Sequence, residues 1–208
     1  MNAPNVGFRE AKRRIELGHH ASLSQDELAA AFIALLARVT GQSSVPVVFV
    51  EDLEPNRAAV VRYRDVTFEA DRAVKFVTLW NRVKEARDAD GPGDPLTRPR
   101  AAISFWPAPA IVADLQLVIE GSDSRLAASF YYNAELFDER TMGAFSDRLS
   151  TILECINPGK IVGPIQEAGL FKAIGALTLL SPDEATRLRD AGEGSETRSP
   201  VEPVHTSI

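Results

Sequence analysis

The stretch from Ala113 to Ile156, ADLQLVIEGSDSRLAASFYYNAELFDERTMGAFSDRLSTILECI, decides the fold. Leu115, Leu117 and Ile119 alternate with Gln116, Val118 and Glu120, the period-two pattern of a strand with one face in a core. Beyond the polar turn Gly121-Ser122-Asp123-Ser124, the residues Leu126, Ala128, Phe130 and Tyr132 repeat it. Two alternating runs joined by a short polar turn predict an antiparallel hairpin over about 114–133. A helix over about 138–156 should follow, with Asp138 as its cap and Phe137 and Met142 as a staple. Met142, Phe145, Leu149, Ile152, Leu153 and Ile156 give that helix one apolar face.

Upstream, Ser24 and Glu27 form a capping box flanked by Leu23 and Leu28. Leu28, Ala31, Phe32, Leu35, Leu36 and Val39 then follow at helical period to Gly41, predicting a helix over about 24–40. Val45 to Val50 reads as a strand buried on both faces, with Pro46 placing it at a strand end or a sheet edge. Ala58 to Tyr63 reads as another strand. A helix over about 68–87, starting near Thr67, would place Ala73, Phe76, Val77, Trp80 and Val83 along one stripe. The Pro- and Gly-rich run DADGPGDPLTRP breaks it, and Ala101 to Trp106 resumes as a strand. Phe8 to Leu17 reads as a short helix, and a weaker one is placed around Gln166 to Ala173. Ser181-Pro182-Asp183-Glu184 marks a further helix start, with proline at the first helical position. The tail after Gly192 has the composition of a linker.

These elements imply an α/β fold of α+β type, a mixed sheet with flanking helices. Residues 1–21 form an N-terminal extension, 22–180 the domain, and 181–208 a helix plus linker. The chain has 208 residues, and its formal net charge of −6 argues against a nucleic-acid partner, which needs clustered Lys and Arg. Lys12, Arg13 and Arg14 read as a solvated helix face. No apolar run approaches the roughly 20 residues that span a bilayer. The start lacks the apolar core of a secretory signal, so a cytosolic, cytoplasmic location without membrane contact is expected. The single cysteine, Cys155, excludes an intrachain disulfide and is expected as a half-buried, inert thiol.

Residues for chemistry are few. The histidines are His19, His20 and His205. Adjacent histidines on a helix point about 100° apart, from its 3.6-residue turn, so His19 and His20 are ill placed to share a metal. His205 falls in the linker. Asp88, Asp90 and Asp94 lack the spacing and closing glutamate of a calcium loop. No nucleophile elbow and no phosphate-cradling glycine loop occurs. Phe130, Tyr131 and Tyr132 could form a stacking platform, but period two turns Phe130 and Tyr132 into the core. No catalytic, cofactor-binding or metal-binding residue is assigned, and no cofactor is expected.

At the hairpin and its helix the sequence resembles the C-terminal lobe of a condensation domain of nonribosomal peptide synthetases, in the chloramphenicol-acetyltransferase-like superfamily. The family's Tyr-Asn dipeptide and Leu-Phe-Asp stand here as Tyr132-Asn133 and Leu136-Phe137-Asp138. Leu36 to Gln42 is similar to the family's Leu-Ala-Arg-Tyr-Thr-Gly-Gln, with Val39 for the tyrosine. ALTLLSPDEATRL resembles the connector that follows such a domain, and PVHTSI stands where an adenylation domain would begin.

The resemblance implies a single lobe of a two-lobed fold whose tunnel runs between the lobes. The family's catalytic motif, His-His-x-x-x-Asp-Gly, belongs to the other lobe. His19-His20 imitates its opening, but Ser24 and Gln25 occupy the positions of Asp and Gly. Nothing between Val50 and Arg62 matches the family's segment at the tunnel floor. The implied function is therefore non-catalytic: a truncated structural or interaction module beside an adenylation domain of the same synthetase. Such a module could recruit a tailoring enzyme or a carrier protein. It could also cap the synthetase or pair with a second copy through the surface that the missing lobe leaves. The alternative is half of a split condensation enzyme, completed by a partner lobe carrying the histidine motif.

Overall fold

The structure is a computed structural model that describes residues 8–15, 17, 23–52, 61–89, 100–105, 113–121, 126–156, 170–180 and 182–193. Its elements in chain order are β1 (Glu10–Ile15), α1 (Gln25–Thr40), β2 (Ser44–Asp52), β3 (Val61–Glu69), α2 (Phe76–Asp88), β4 (Ala101–Ser104), β5 (Leu115–Glu120), β6 (Ala127–Asn133), α3 (Glu139–Ile156), a 3₁₀ turn (Ile174–Ala176) and α4 (Pro182–Glu193). The strands form one sheet in the order β1-β6-β5-β4-β2-β3. β2, β4 and β5 run parallel, and β1, β6 and β3 make the antiparallel pairings at the two sides.

The hairpin forms as its alternation predicts, with Leu117 opposite Phe130 and Ile119 opposite Ala128. Both faces of β5 are buried, however: Gln116 and Val118, on the face read as solvated, are covered as fully as Leu117. Leu115, Leu117, Ile119, Phe130 and Tyr132 join Val45, Val47 and Phe49 under one layer of helices. α1 lies at its centre, with every residue from Leu28 to Ala37 buried. A helix apolar on all sides must be enclosed on all sides. Its alanines 29, 30, 31, 34 and 37 let the sheet, α2 and α3 approach it closely. The capping box at Ser24 and Glu27 starts it, and Gly41 ends it in the left-handed region at φ 71°. Val39, counted in the apolar stripe, lies past the enclosed segment and is exposed.

α3 begins where Asp138 accepts a 2.6 Å hydrogen bond from the Thr141 amide. That bond, with a second from the Thr141 hydroxyl, holds the Asp138 carboxyl below its ordinary range. A group with a lowered folded pKa stabilises above its unfolded pKa, and loses that contribution as pH falls through the folded one. Asp138→Ala should therefore lower stability at neutral pH, with the deficit against the parent shrinking toward strongly acidic pH. Urea unfolding of both proteins across that range checks it.

Three readings are corrected. The segment read as a helix at Phe8 to Leu17 contains β1, whose Glu10–Ile15 pairs antiparallel with β6. Lys12, Arg13 and Arg14 thus alternate across a strand instead of sharing a helix face. The helix placed at 68–87 starts at Phe76, because Val66 and Phe68 pair with Val47 and Val45 and continue β3 through Glu69. That strand also extends well past the end read at Tyr63. Of the helix placed at Gln166 to Ala173, Leu170 is helical, 166–169 lie outside the described residues, and the helix stops short of Ala173, which makes a bridge with Lys75. Pro182 opens α4 as expected. Pro46 sits exposed at the start of β2, before its pairing with β4 begins at Val48, so one strand is both a central member and a tolerant host for proline.

Candidate functional site

Of the histidine, aspartate and cysteine residues singled out for chemistry, the structure describes Asp88 and Cys155. His19, His20, His205, Asp90 and Asp94 lie outside the described residues. Asp88 is exposed at the end of α2, and Cys155 is half-buried on α3. Among the described residues no group of His, Cys, Asp and Glu could hold a metal ion. Also among them, no helix is long and apolar enough to cross a membrane.

The Tyr-Asn and Leu-Phe-Asp residues build a corner. Asn133 is buried, and its Oδ1 accepts from the Arg9 amide at 3.2 Å and the Glu135 amide at 3.1 Å. Its carbonyl accepts from the amides of Leu136 and Phe137. One side chain therefore holds the entry to β1 against the turn that delivers Asp138 to the start of α3. Tyr132 packs in the core, while Phe8 and Leu136 are exposed at the same corner.

The sheet face without described helices carries two transverse rows, read from the strand registers. One runs Lys12, Tyr131, Gln116, Ala102, Val48 and Asp65; the other runs Arg14, Ser129, Val118, Ser104 and Val50. Its centre is covered, with Val48, Val50, Ala102 and Ala113 clustering on it. Its β1 border is open and basic. Lys12 Nζ sits 4.9 Å from the Tyr131 ring centroid, and the hydrogen bond to Tyr131 raises the ammonium above its ordinary pKa. Arg13 turns to the other face and lies flat against Gly143 of α3, at 3.4 Å from where a Cβ would stand.

A second polar group lies at the carboxyl ends of the parallel strands, where open α/β sheets place their ligand crevices. Arg87, near the end of α2, contacts Asp26 at 2.8 Å in the first turn of α1. It also donates to Gln25 at 3.3 Å and lies 5.3 Å from the centroid of Phe105. Gln25 in turn donates to the carbonyl of Gly121, which ends β5. Arg64 of β3 donates to the carbonyls of Ala86 and Arg87, favourable at a helix C-terminus. Burial raises the Asp26 carboxyl above its ordinary range; Arg87 opposes this, but desolvation is the larger effect. The arrangement ties α1, α2, β3, β4 and β5 together at one end. Its carboxylate is spent on an arginine, so it fastens helices and offers no free acid or base. Sequence reading missed it because Gln25 and Arg87 stand 62 residues apart.

No family model matches the sequence, and no curated relative does. Solved structures do match in fold. The chain is similar to a structure described as the complex of the X-domain and OxyB from teicoplanin biosynthesis, at 19% identity and a TM-score of 0.60, covering 86% of this chain and 49% of that one. It is similar to the first condensation domain of the CDA synthetase at 15% identity and a TM-score of 0.59, covering 86% and 50%. A four-domain nonribosomal peptide synthetase bound to AMP and glycine matches at 11% identity and a TM-score of 0.59, covering 85% and 18%. The chain thus has the mixed-sheet fold found in condensation domains, and spans about half the length of the isolated condensation domains it matches.

Proposed function

We propose that this chain is a truncated, non-catalytic condensation-like lobe of a nonribosomal peptide synthetase. It acts as a structural and interaction module beside an adenylation domain and offers a surface for a tailoring enzyme. The observation that carries this reading is a half-length likeness closed around its own core. Six strands and three helices share one continuous set of buried side chains. The corner residues Asn133 and Asp138 serve that closure, and Asp26, the buried carboxylate, serves the clasp. Leu188 on the connector α4 is 60% exposed and so is open to a neighbouring surface. Among the solved structures of this fold is an X-domain in complex with OxyB, which supports the recruiting role.

The half-length match also favours a second reading, a split acyltransferase completed by a partner lobe carrying the histidine motif. An amide-forming assay with a carrier-bound aminoacyl donor and acceptor separates the two. The first reading expects no product above the uncatalysed rate, whether or not an N-terminal condensation lobe is added. Turnover on mixing would establish the second and overturn the first.

A further inference from the structure

At the end of the sheet away from the clasp, a pocket of about 120 Å³ opens between four segments. The last turn of α1 supplies Ala37, Arg38 and Gly41, and the entry to β2 supplies Gln42 and Ser43. The β3–α2 connection supplies Ala70, Asp71 and Arg72, and the 3₁₀ turn supplies Ile174. Backbone bonds fix the frame: the Ala70 amide to the Ser43 carbonyl at 2.7 Å, and the Gly175 amide to the Arg72 carbonyl at 2.8 Å. Ala37, Ala70 and Ile174 are buried and form an apolar floor.

Three charged side chains, Arg38, Asp71 and Arg72, line this one pocket, and none makes a side-chain hydrogen bond or ion pair among the described residues. Arg38 Nε is buried and lacks a partner. Opposite charges at a shared rim normally pair with one another or turn to water. Here Arg38 comes from the end of α1, and Asp71 and Arg72 come from the β3–α2 connection, around one cavity. A ligand that satisfies both must carry an anion for the arginine forks and a cation for Asp71. The negative end of the α1 dipole, at Gly41, favours the cation on its own side. The small volume suits a small molecule and not a peptide.

The geometry points to this pocket as a binding site for a small α-amino acid zwitterion, its carboxylate on Arg38 and Arg72 and its ammonium on Asp71. The floor of Ala37, Ala70 and Ile174 takes the side chain, and limits it to a small apolar one. Nothing in this site depends on the interaction role proposed above.

The test is an NMR titration of the full chain with L-alanine, propionate and ethylammonium in parallel, read at the amides of Gly41, Gln42, Ser43 and Gly175. Saturable shifts with L-alanine are expected, with each single-charge analogue binding about tenfold more weakly, since each lacks one charge-assisted contact. Arg38→Gln and Asp71→Asn should each weaken L-alanine by about the same factor. Asp71 is exposed, so its variant keeps the fold and decides the matter even if Arg38→Gln does not. Gly175→Val should abolish the shifts, because a Cβ there would come within 2.9 Å of the Arg72 carbonyl and displace the turn. Propionate binding as tightly as L-alanine would reduce the pocket to an anion site and overturn the assignment. Shifts that never saturate, or that survive Asp71→Asn unchanged, would also overturn it.

Discussion

Phe32→Ala is expected to lower the unfolding free energy by about 3–5 kcal/mol, a large share of the roughly 5–15 kcal/mol that holds a domain of this size. Phe32 is fully buried on α1, with its ring centroid 5.7 Å from Phe130 on β6 and 6.5 Å from Phe145 on α3. Phe130 and Phe145 themselves stand 5.7 Å apart, edge to face. The three rings join helix to helix and both helices to the hairpin. Truncation therefore removes ring contacts on two sides and leaves a cavity between elements too tightly packed to collapse into it. Urea unfolding should show a lower midpoint with an unchanged slope. Val39→Ala, on the exposed end of the same helix, should stay within about 0.5 kcal/mol. A Phe32→Ala loss no larger than that control would mean the helix layer is not packed as described.

Arg87→Ala is the second large effect. It strands the Asp26 carboxylate, whose side chain is only 10% exposed, and strips the cation from the Phe105 ring. Breaking a buried pair costs about 3–5 kcal/mol, and the 30% exposure of Arg87 places this case near the lower end. The pH dependence separates it from a packing loss. The folded pKa of Asp26 is already raised. Such a carboxyl weakens the fold once ionised, and that cost is recovered as pH falls through the folded pKa, fully below the unfolded value of about 3.9. Without Arg87 the folded pKa rises further, so the variant should regain stability on mild acidification over a wider range than the parent. Asp26→Asn should flatten the dependence. Equal deficits for Arg87→Ala at neutral and mildly acidic pH would refute the charge argument.

What could be read in advance was local. The hairpin, α1 and α3 declare themselves through period-two and period-3.6 patterns and through caps that lie within four residues of what they cap. The errors fall where a distant partner decides. Glu10 to Ile15 is rich in good helix formers, Glu, Ala, Lys and Arg, and only pairing with β6, more than a hundred residues on, makes it a strand. Val66 and Phe68 fit a helical stripe as well as a strand face until β2 is seen beside them. The same limit hid the Asp26–Arg87 clasp and the Arg38, Asp71 and Arg72 pocket, since each is assembled from segments that touch only in the fold. The Tyr132-Asn133 and Leu136-Phe137-Asp138 residues were visible, and the structure gives them a mechanical role: they turn the chain from β6 into α3 while pinning β1.

The proposed contact is tested most directly by isothermal titration of this chain with the adenylation domain that the proposal places beside it. The account predicts a saturable one-to-one complex, with the negative heat-capacity change that accompanies burial of exposed apolar side chains such as Leu188 and Phe171. No heat on titration, together with unaltered product from a synthetase lacking this chain, would contradict it.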